Sequence, residues 1–246
     1  MKHAIRQRFP KKAASVSIPT QEDILKEPLF RRATAGFVRQ HGGRFAQEFL
    51  AHAEKLGLVS EKSRFMCQRS RFVEGAYPSS PDWHFDVIPG LPSSIEEHVT
   101  NPIVSAILCA CSPDRVSTTE FISEGTVIID DGSNERQHYK GGEYLHGTGG
   151  KVNFFHRQIE DAISRGEISA QSLEPNHIYV YDSSSLHRAS KFTVSGGYRL
   201  IIRITNAPDG FMQEIPINDQ ILTPERDQYI VFVDGSSEVF EKRFIS

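Results

Sequence analysis

At 246 residues the chain is long enough for one domain with decorations, since all-β barrels and sandwiches often fill about 200–250 residues as a single unit. Apolar residues make up 38% and charged residues 24%, with 16 Phe, which describes a soluble globular protein and excludes a disordered one. The formal charge of −3 argues against a general nucleic-acid footprint. The longest apolar stretch, Ile103 to Cys111, is broken by Ser105 and falls far short of the roughly 20 residues a membrane span needs. The three cysteines, Cys67, Cys109 and Cys111, are too few and too scattered for a disulfide scaffold, and no apolar segment follows the basic N-terminus as in a secretory signal. The expected compartment is therefore reducing and cytoplasmic.

In chain order, residues 1–19 form a basic arm. Lys2, Arg6, Arg8, Lys11 and Lys12 occur there with no acid among the first 12 residues, and the reading is a frayed, solvated tail. Residues 20–62 read as bracing helices. Thr20 can cap a first turn containing Glu22 and Asp23, Pro28 interrupts, and a second amphipathic stretch runs from about Ala33 to Leu56. Phe37, Phe45, Phe49, Ala53 and Leu56 recur there at helical spacing, and Gly57 stands where a left-handed terminal residue belongs. Residues 63–246 carry strand periodicity, and the whole of 1–246 reads as a single domain.

The expected strands are Phe65–Phe72, His84–Ile88, Ile103–Cys111, Thr118–Ile122, Thr126–Ile129, Ile178–Tyr181 and Tyr198–Thr205, with a terminal hairpin of Tyr229–Val233 and Glu238–Phe244. Short strands separated by Gly, Pro and Ser predict a mainly β fold with flanking helices, built on a jelly-roll core whose mouth takes small ligands. Alternation places Cys109 and Cys111 on one strand face as buried thiols. One helix interrupts the β half, from Phe154 to Arg165, capped by Asn153. The polar stretch before it, 130–152, reads as a lid-like loop. Its Gly147-Thr148-Gly149-Gly150-Lys151 has the wrong glycine spacing for a phosphate loop.

The chemistry concentrates in Trp83-His84-Phe85-Asp86-Val87 and in Asp182-Ser183-Ser184-Ser185-Leu186-His187-Arg188. In an extended segment His84 and Asp86 face the same side while Phe85 turns into the core. With His187 they form a two-histidine, one-carboxylate set suited to Fe(II) with open positions opposite. Twelve residues beyond His187, Arg199 opens an apolar strand after Ser195-Gly196-Gly197. A planar guanidinium there suits a carboxylate better than lysine does. Arg203 on the same face is its rival, Tyr181 offers a phenol to the same anion, and Arg188 is expected to point away.

On these residues the stretch from Trp83 to Thr205 resembles the Fe(II)- and 2-oxoglutarate-dependent oxygenases. Thr119-Glu120-Phe121-Ile122 looks like a short strand of that family, and Glu174 to Asp182 is similar to its turn and strand leading to the distal histidine. The resemblance implies a double-stranded β-helix, or cupin-like, core. It implies His84, Asp86 and His187 as iron ligands, Arg199 as partner of the far carboxylate of 2-oxoglutarate, and O₂ as oxidant. The implied reaction yields succinate and CO₂ and hydroxylates or demethylates the substrate. An aspartate at position 86 argues against halogenation, for which related enzymes leave the carboxylate position empty.

With neither an aromatic stacking platform nor a basic stripe beyond the arm, a small metabolite is favoured over nucleic acid or protein as substrate. Oligomeric state stays open. Two further readings stand beside this one: a non-redox jelly-roll protein binding a metal or small ligand, and the same triad working without 2-oxoglutarate, in which Arg199 would be dispensable. A Ser-His-Asp hydrolase reading fails for want of a nucleophile elbow. His41, His52, His98, His156 and His177 read as surface or half-buried polar groups, while His138 and His146 lie in the presumed lid.

Overall fold

The computed structural model describes residues 2–75, 77–79, 83–86, 103–112, 115, 119–130, 156–206, 217–222, 229–235 and 239–245. The presumed lid beyond Asp130, the Asn153 cap and the far end of the His84–Ile88 strand lie outside them. The basic arm is ordered, contrary to expectation: β1 (Lys2–Arg8) and β2 (Lys11–Ser15) are both strands. β1 alternates, with Ile5 and Gln7 buried at 1% and 2% exposure and Lys2, Arg6 and Arg8 turned to solvent. Cations on an edge strand discourage pairing with a second chain, so they fit a strand as well as a tail.

α1 (Gln21–Lys26) starts as expected, with a capping box between Thr20 and Asp23, and ends at Glu27 ahead of Pro28, which disfavours helical geometry in the residue before it. The following amphipathic stretch divides. β3 (Phe30–Ala33) precedes α2 (Ala35–His41) and α3 (Arg44–Lys55), with Gly42 and Gly43 between the helices. Glu27 explains the break. Its carboxylate accepts the N–H groups of Phe45 and Ala46 (3.2 and 2.8 Å) at the start of α3, and a Cβ on Gly43 would sit 2.5 Å from Glu27 Oε2.

Burial raises the Glu27 pKa against the lowering effect of those N–H groups and of Arg44. A folded-state pKa above the unfolded value means a contribution to stability that is full below the ordinary carboxylate range and is lost as pH rises through the raised pKa. The stability of the protein relative to Glu27→Gln is therefore expected to fall as pH rises above the ordinary carboxylate range in denaturant unfolding.

The β elements continue with β4 (Arg64–Arg71), β5 (Val104–Ala110), β6 (Thr119–Asp130), α4 (His156–Ser164), β7 (Ser169–Ser172), β8 (His177–Asp182), β9 (His187–Ala189), β10 (Tyr198–Asn206), β11 (Tyr229–Gly235) and β12 (Val239–Ile245). A six-stranded sheet runs β2-β8-β5-β10-β4-β3, and a second sheet runs β1-β6-β7 with β9 also on β6. The ladders of both sheets are antiparallel. The fold is a mainly β double-stranded β-helix with flanking helices. β11 and β12 pair as the expected hairpin. The two expected strands between Thr118 and Ile129 are one strand: Gly125 takes φ +120, while β9 and β7 pair with its first half and β1 with its second.

Alternation along the large sheet separates two cores. Leu200, Ile202 and Ile204 of β10, with Ala106 and Leu108 of β5, meet Phe45, Phe49 and Leu50 of α3 on the outer face. The helices thus cover the outer face of the large sheet. Ile107, Cys109, Phe121, Tyr179 and Tyr181 fill the interior between the sheets. All three cysteines are buried thiols outside any disulfide. A third cluster joins Trp83, Phe85, Ile122 and Leu186 to Ile159 of α4.

Candidate functional site

The candidate metal site is built on a backbone bridge. His84 N–H donates to the His187 carbonyl and His187 N–H to the His84 carbonyl, both at 3.0 Å, so residues more than a hundred positions apart in sequence become cross-strand neighbours. Their imidazole centroids lie 4.4 Å apart. Phe85 points the other way, fully buried in the cluster against α4, which returns Asp86 to the face of His84. Donor atoms of His84, Asp86 and His187 all lie within 4.8 Å of one another, with Asp86 Oδ1 3.5 Å from His187 Nε2.

The loop before His187 sets its ring. Asp182 Oδ1 accepts Ser184 N–H at 2.9 Å and the Ser184 and Ser185 hydroxyls at 2.5 and 3.3 Å, so this aspartate shapes a turn and takes no part in a hydrolytic triad. Gln7 embraces the same loop from β1, donating to the Ser184 carbonyl at 2.9 Å and accepting Leu186 N–H at 2.8 Å. Gln7→Ala strips both partners from a buried stretch of backbone. It is expected to lower the unfolding free energy by about 1–3 kcal/mol in denaturant titration. No local signal marks Gln7, because its partners lie at the far end of the chain.

His187 Nδ1 lies 3.0 Å from the Ser185 carbonyl, which can only accept, so Nδ1 carries the proton. In the tautomer protonated at Nδ1 alone, Nε2 presents a lone pair toward a carboxylate oxygen of Asp86. Two acceptors facing each other are the arrangement a cation reconciles. Phe121 stacks on the ring at 5.1 Å between centroids. Bonds of about 2.0–2.2 Å to one ion would draw neighbouring donors to roughly 3 Å apart, within reach of small side-chain rotations. The donor set fits a divalent transition metal.

Burial would raise the Asp86 pKa, but the adjacent Arg203 charge, together with His187 and the Tyr181 hydroxyl, holds it well below the ordinary carboxylate range. Arg203 Nη1 donates to Oδ1, and Tyr181 OH donates to Oδ2 at 2.6 Å. Burial and the neighbouring Asp86 charge push the Tyr181 phenol well up, so it stays a donor. Tyr181 and Arg203, expected to hold a co-substrate carboxylate, are placed on the aspartate of the cluster.

Arg199 shares the inward face of β10 with Arg203, two positions either side of Ile201. Its start is fixed by the expected turn, where Gly196 and Gly197 take φ +85 and +82 and the Gln21 side chain accepts Tyr198 N–H at 2.6 Å. Arg199 is only 2% exposed and lies over the Phe192 ring at 5.6 Å. Burial pulls its pKa down to about 10, opposed by the nearby Cys109 and Cys111. A cation buried this deeply on an inward face is suited to an anion.

Arg188 does point away from the triad, as expected. It stacks on Trp83 at 4.6 Å and pairs with Glu120 and Glu160 at 2.9 and 2.7 Å, and Trp83 donates to Glu160 at 2.6 Å. His156 on α4 accepts Trp83 N–H at 3.0 Å. The residues flanking both histidines are thus tied to α4. His41 lies against Phe37, and His177 Nδ1 meets the Pro175 carbonyl at 2.9 Å, both in keeping with ordinary polar roles. His98, His138 and His146 fall outside the described residues.

Fold and site together define the class: a double-stranded β-helix protein carrying a His-Asp-His cluster beside a buried inward arginine. No family model matches the chain, and no curated protein matches it. Among solved structures it is similar to EctD from S. alaskensis in its apo form, at 12% identity over 87% of this chain and 90% of that one, with a TM-score of 0.36. A Pseudomonas putida prolyl-4-hydroxylase is similar at 14% identity over 78% and 97%, with a TM-score of 0.31. Apo HygX from Streptomyces hygroscopicus is similar at 11% identity over 93% and 98%, with a TM-score of 0.33. Among the described residues no helix is long and apolar enough to cross a membrane.

Proposed function

We propose that this chain is a non-haem Fe(II)- and 2-oxoglutarate-dependent dioxygenase that hydroxylates, or by hydroxylating a methyl carbon demethylates, a small-molecule substrate. The observation that carries this reading is the gathering of His84, Asp86 and His187 within 4.8 Å beside an inward face bearing the buried cation Arg199. Two imidazoles and one carboxylate on one side leave the opposite positions to other ligands. Fe(II), once bound, would supply O₂ activation driven by oxidation of 2-oxoglutarate to succinate and CO₂.

The protein's own contribution is positioning. The His84–His187 bridge fixes the spacing of two ligands, the Ser185 carbonyl fixes the tautomer of His187, and Tyr181 fixes one oxygen of Asp86. Arg199 offers two parallel donors to the distal carboxylate of 2-oxoglutarate. Phe121, Ile107 and Tyr179 line an apolar interior that keeps water from the reacting centre. The test is succinate formation from 2-oxoglutarate by the purified protein with Fe(II) and O₂. Slow succinate release without added substrate, absent in His187→Ala, supports the reading; no succinate above the metal-only blank contradicts it.

A further inference from the structure

We propose that Arg203 is a resident counter-cation of Asp86 that weakens retention of the bare metal and makes it depend on an anionic co-substrate; this rests on the function proposed above. The two oxygens of Asp86 are not equivalent. Tyr181 takes Oδ2, whereas Arg203 takes Oδ1, the oxygen that stands 3.5 Å from His187 Nε2. A cation shared by Asp86 and His187 therefore binds at the oxygen that Arg203 already occupies. Tyr181 leaves that oxygen alone and is compatible with ligation, so competition falls on Arg203.

Charge sharpens the competition. The side chain of Asp86 is 12% exposed and that of Arg203 27%, and among the described residues Asp86 is the only carboxylate in ion-pair reach of Arg203. Together they are neutral. A divalent ion brings its full double charge next to a guanidinium whose counter-ion it has claimed, in surroundings that screen poorly. An anion restores the balance. Arg203 and Arg199 lie on one face of β10, so a dicarboxylate arriving along that face meets two cations, and Arg203 can turn from Asp86 to it. Metal and dicarboxylate then bind with positive coupling, each raising the affinity of the other by the same factor.

The geometry separates this role from simple support of Asp86, because the two predict opposite signs. Tyr181 still holds Oδ2 when Arg203 is removed, so the carboxylate stays in place and loses its competitor. The experiment is anaerobic Co(II) titration of the purified protein by visible absorption, with and without 2-oxoglutarate, for the native chain and Arg203→Met. Arg203→Met is expected to bind Co(II) alone at least about 10-fold more tightly, with the tightening caused by 2-oxoglutarate reduced to a few-fold or less. Arg203→Gln is read the same way and serves if the methionine variant does not fold. Co(II) binding by a folded variant that is equal to or weaker than native overturns the inference while leaving the dioxygenase reading intact. Native protein that takes up no Co(II) in either condition overturns that reading itself.

Discussion

Replacing His187 with alanine is expected to lower metal affinity by more than about 100-fold and bring succinate formation to the background rate, because outer partners of a metal ligand alone can cost 10–100-fold. The loss is chemical in origin. The bridge to His84 and the pairing of β9 with β6 are made by backbone groups and persist in the variant. Removal of the ring from Phe121 leaves a small cavity, whose cost shows in thermal unfolding and can be separated from metal affinity. Anaerobic metal titration, alongside far-ultraviolet dichroism to confirm the fold, checks the prediction.

Arg199→Leu is expected to have an equally large effect on a different quantity. Truncating one partner of a buried, hydrogen-bonded charge pair costs about 2–5 kcal/mol, which corresponds to a rise of roughly 30-fold to several thousand-fold in the dissociation constant for 2-oxoglutarate. Metal binding in the absence of 2-oxoglutarate should barely change, since Arg199 lies beyond Ile201 from Arg203 and Asp86. Stability is measured alongside, because Arg199 is a large, fully buried side chain at 2% exposure. Isothermal titration with 2-oxoglutarate, together with denaturant unfolding of the same samples, reads both effects. A variant that loses stability but keeps its affinity would assign Arg199 a structural role.

Much of the site was legible because period-2 patterning places residues without any knowledge of tertiary structure. His84 and Asp86 share a face with Phe85 opposed, and Arg199 and Arg203 share the inward face of β10, as alternation requires. Thr20, Gly57 and the Gly196-Gly197 turn also behave as their local chemistry dictates. What escaped depends on partners far along the chain. Arg203 and Tyr181 on Asp86, Gln7 on the loop before His187, and Glu27 capping α3 are long-range choices among several feasible contacts. β1 was missed because its inward face carries one large apolar residue, Ile5, and one polar residue, Gln7, too weak an alternation beside so many cations. The unbroken β6 was missed because Gly125 reads as a turn until β1 and β7 are seen to pair on either side of it.

The most direct measurement is anaerobic titration of the purified protein with Fe(II), with and without 2-oxoglutarate, followed in the visible range for the weak charge-transfer absorption of a chelated iron complex. A band is expected only when both are present, and it should be lost in His187→Ala and, at moderate 2-oxoglutarate, in Arg199→Ala. Absence of the band, with iron bound no better by the native chain than by His187→Ala, would contradict the dioxygenase account and leave a jelly-roll protein that binds its ligand without redox chemistry.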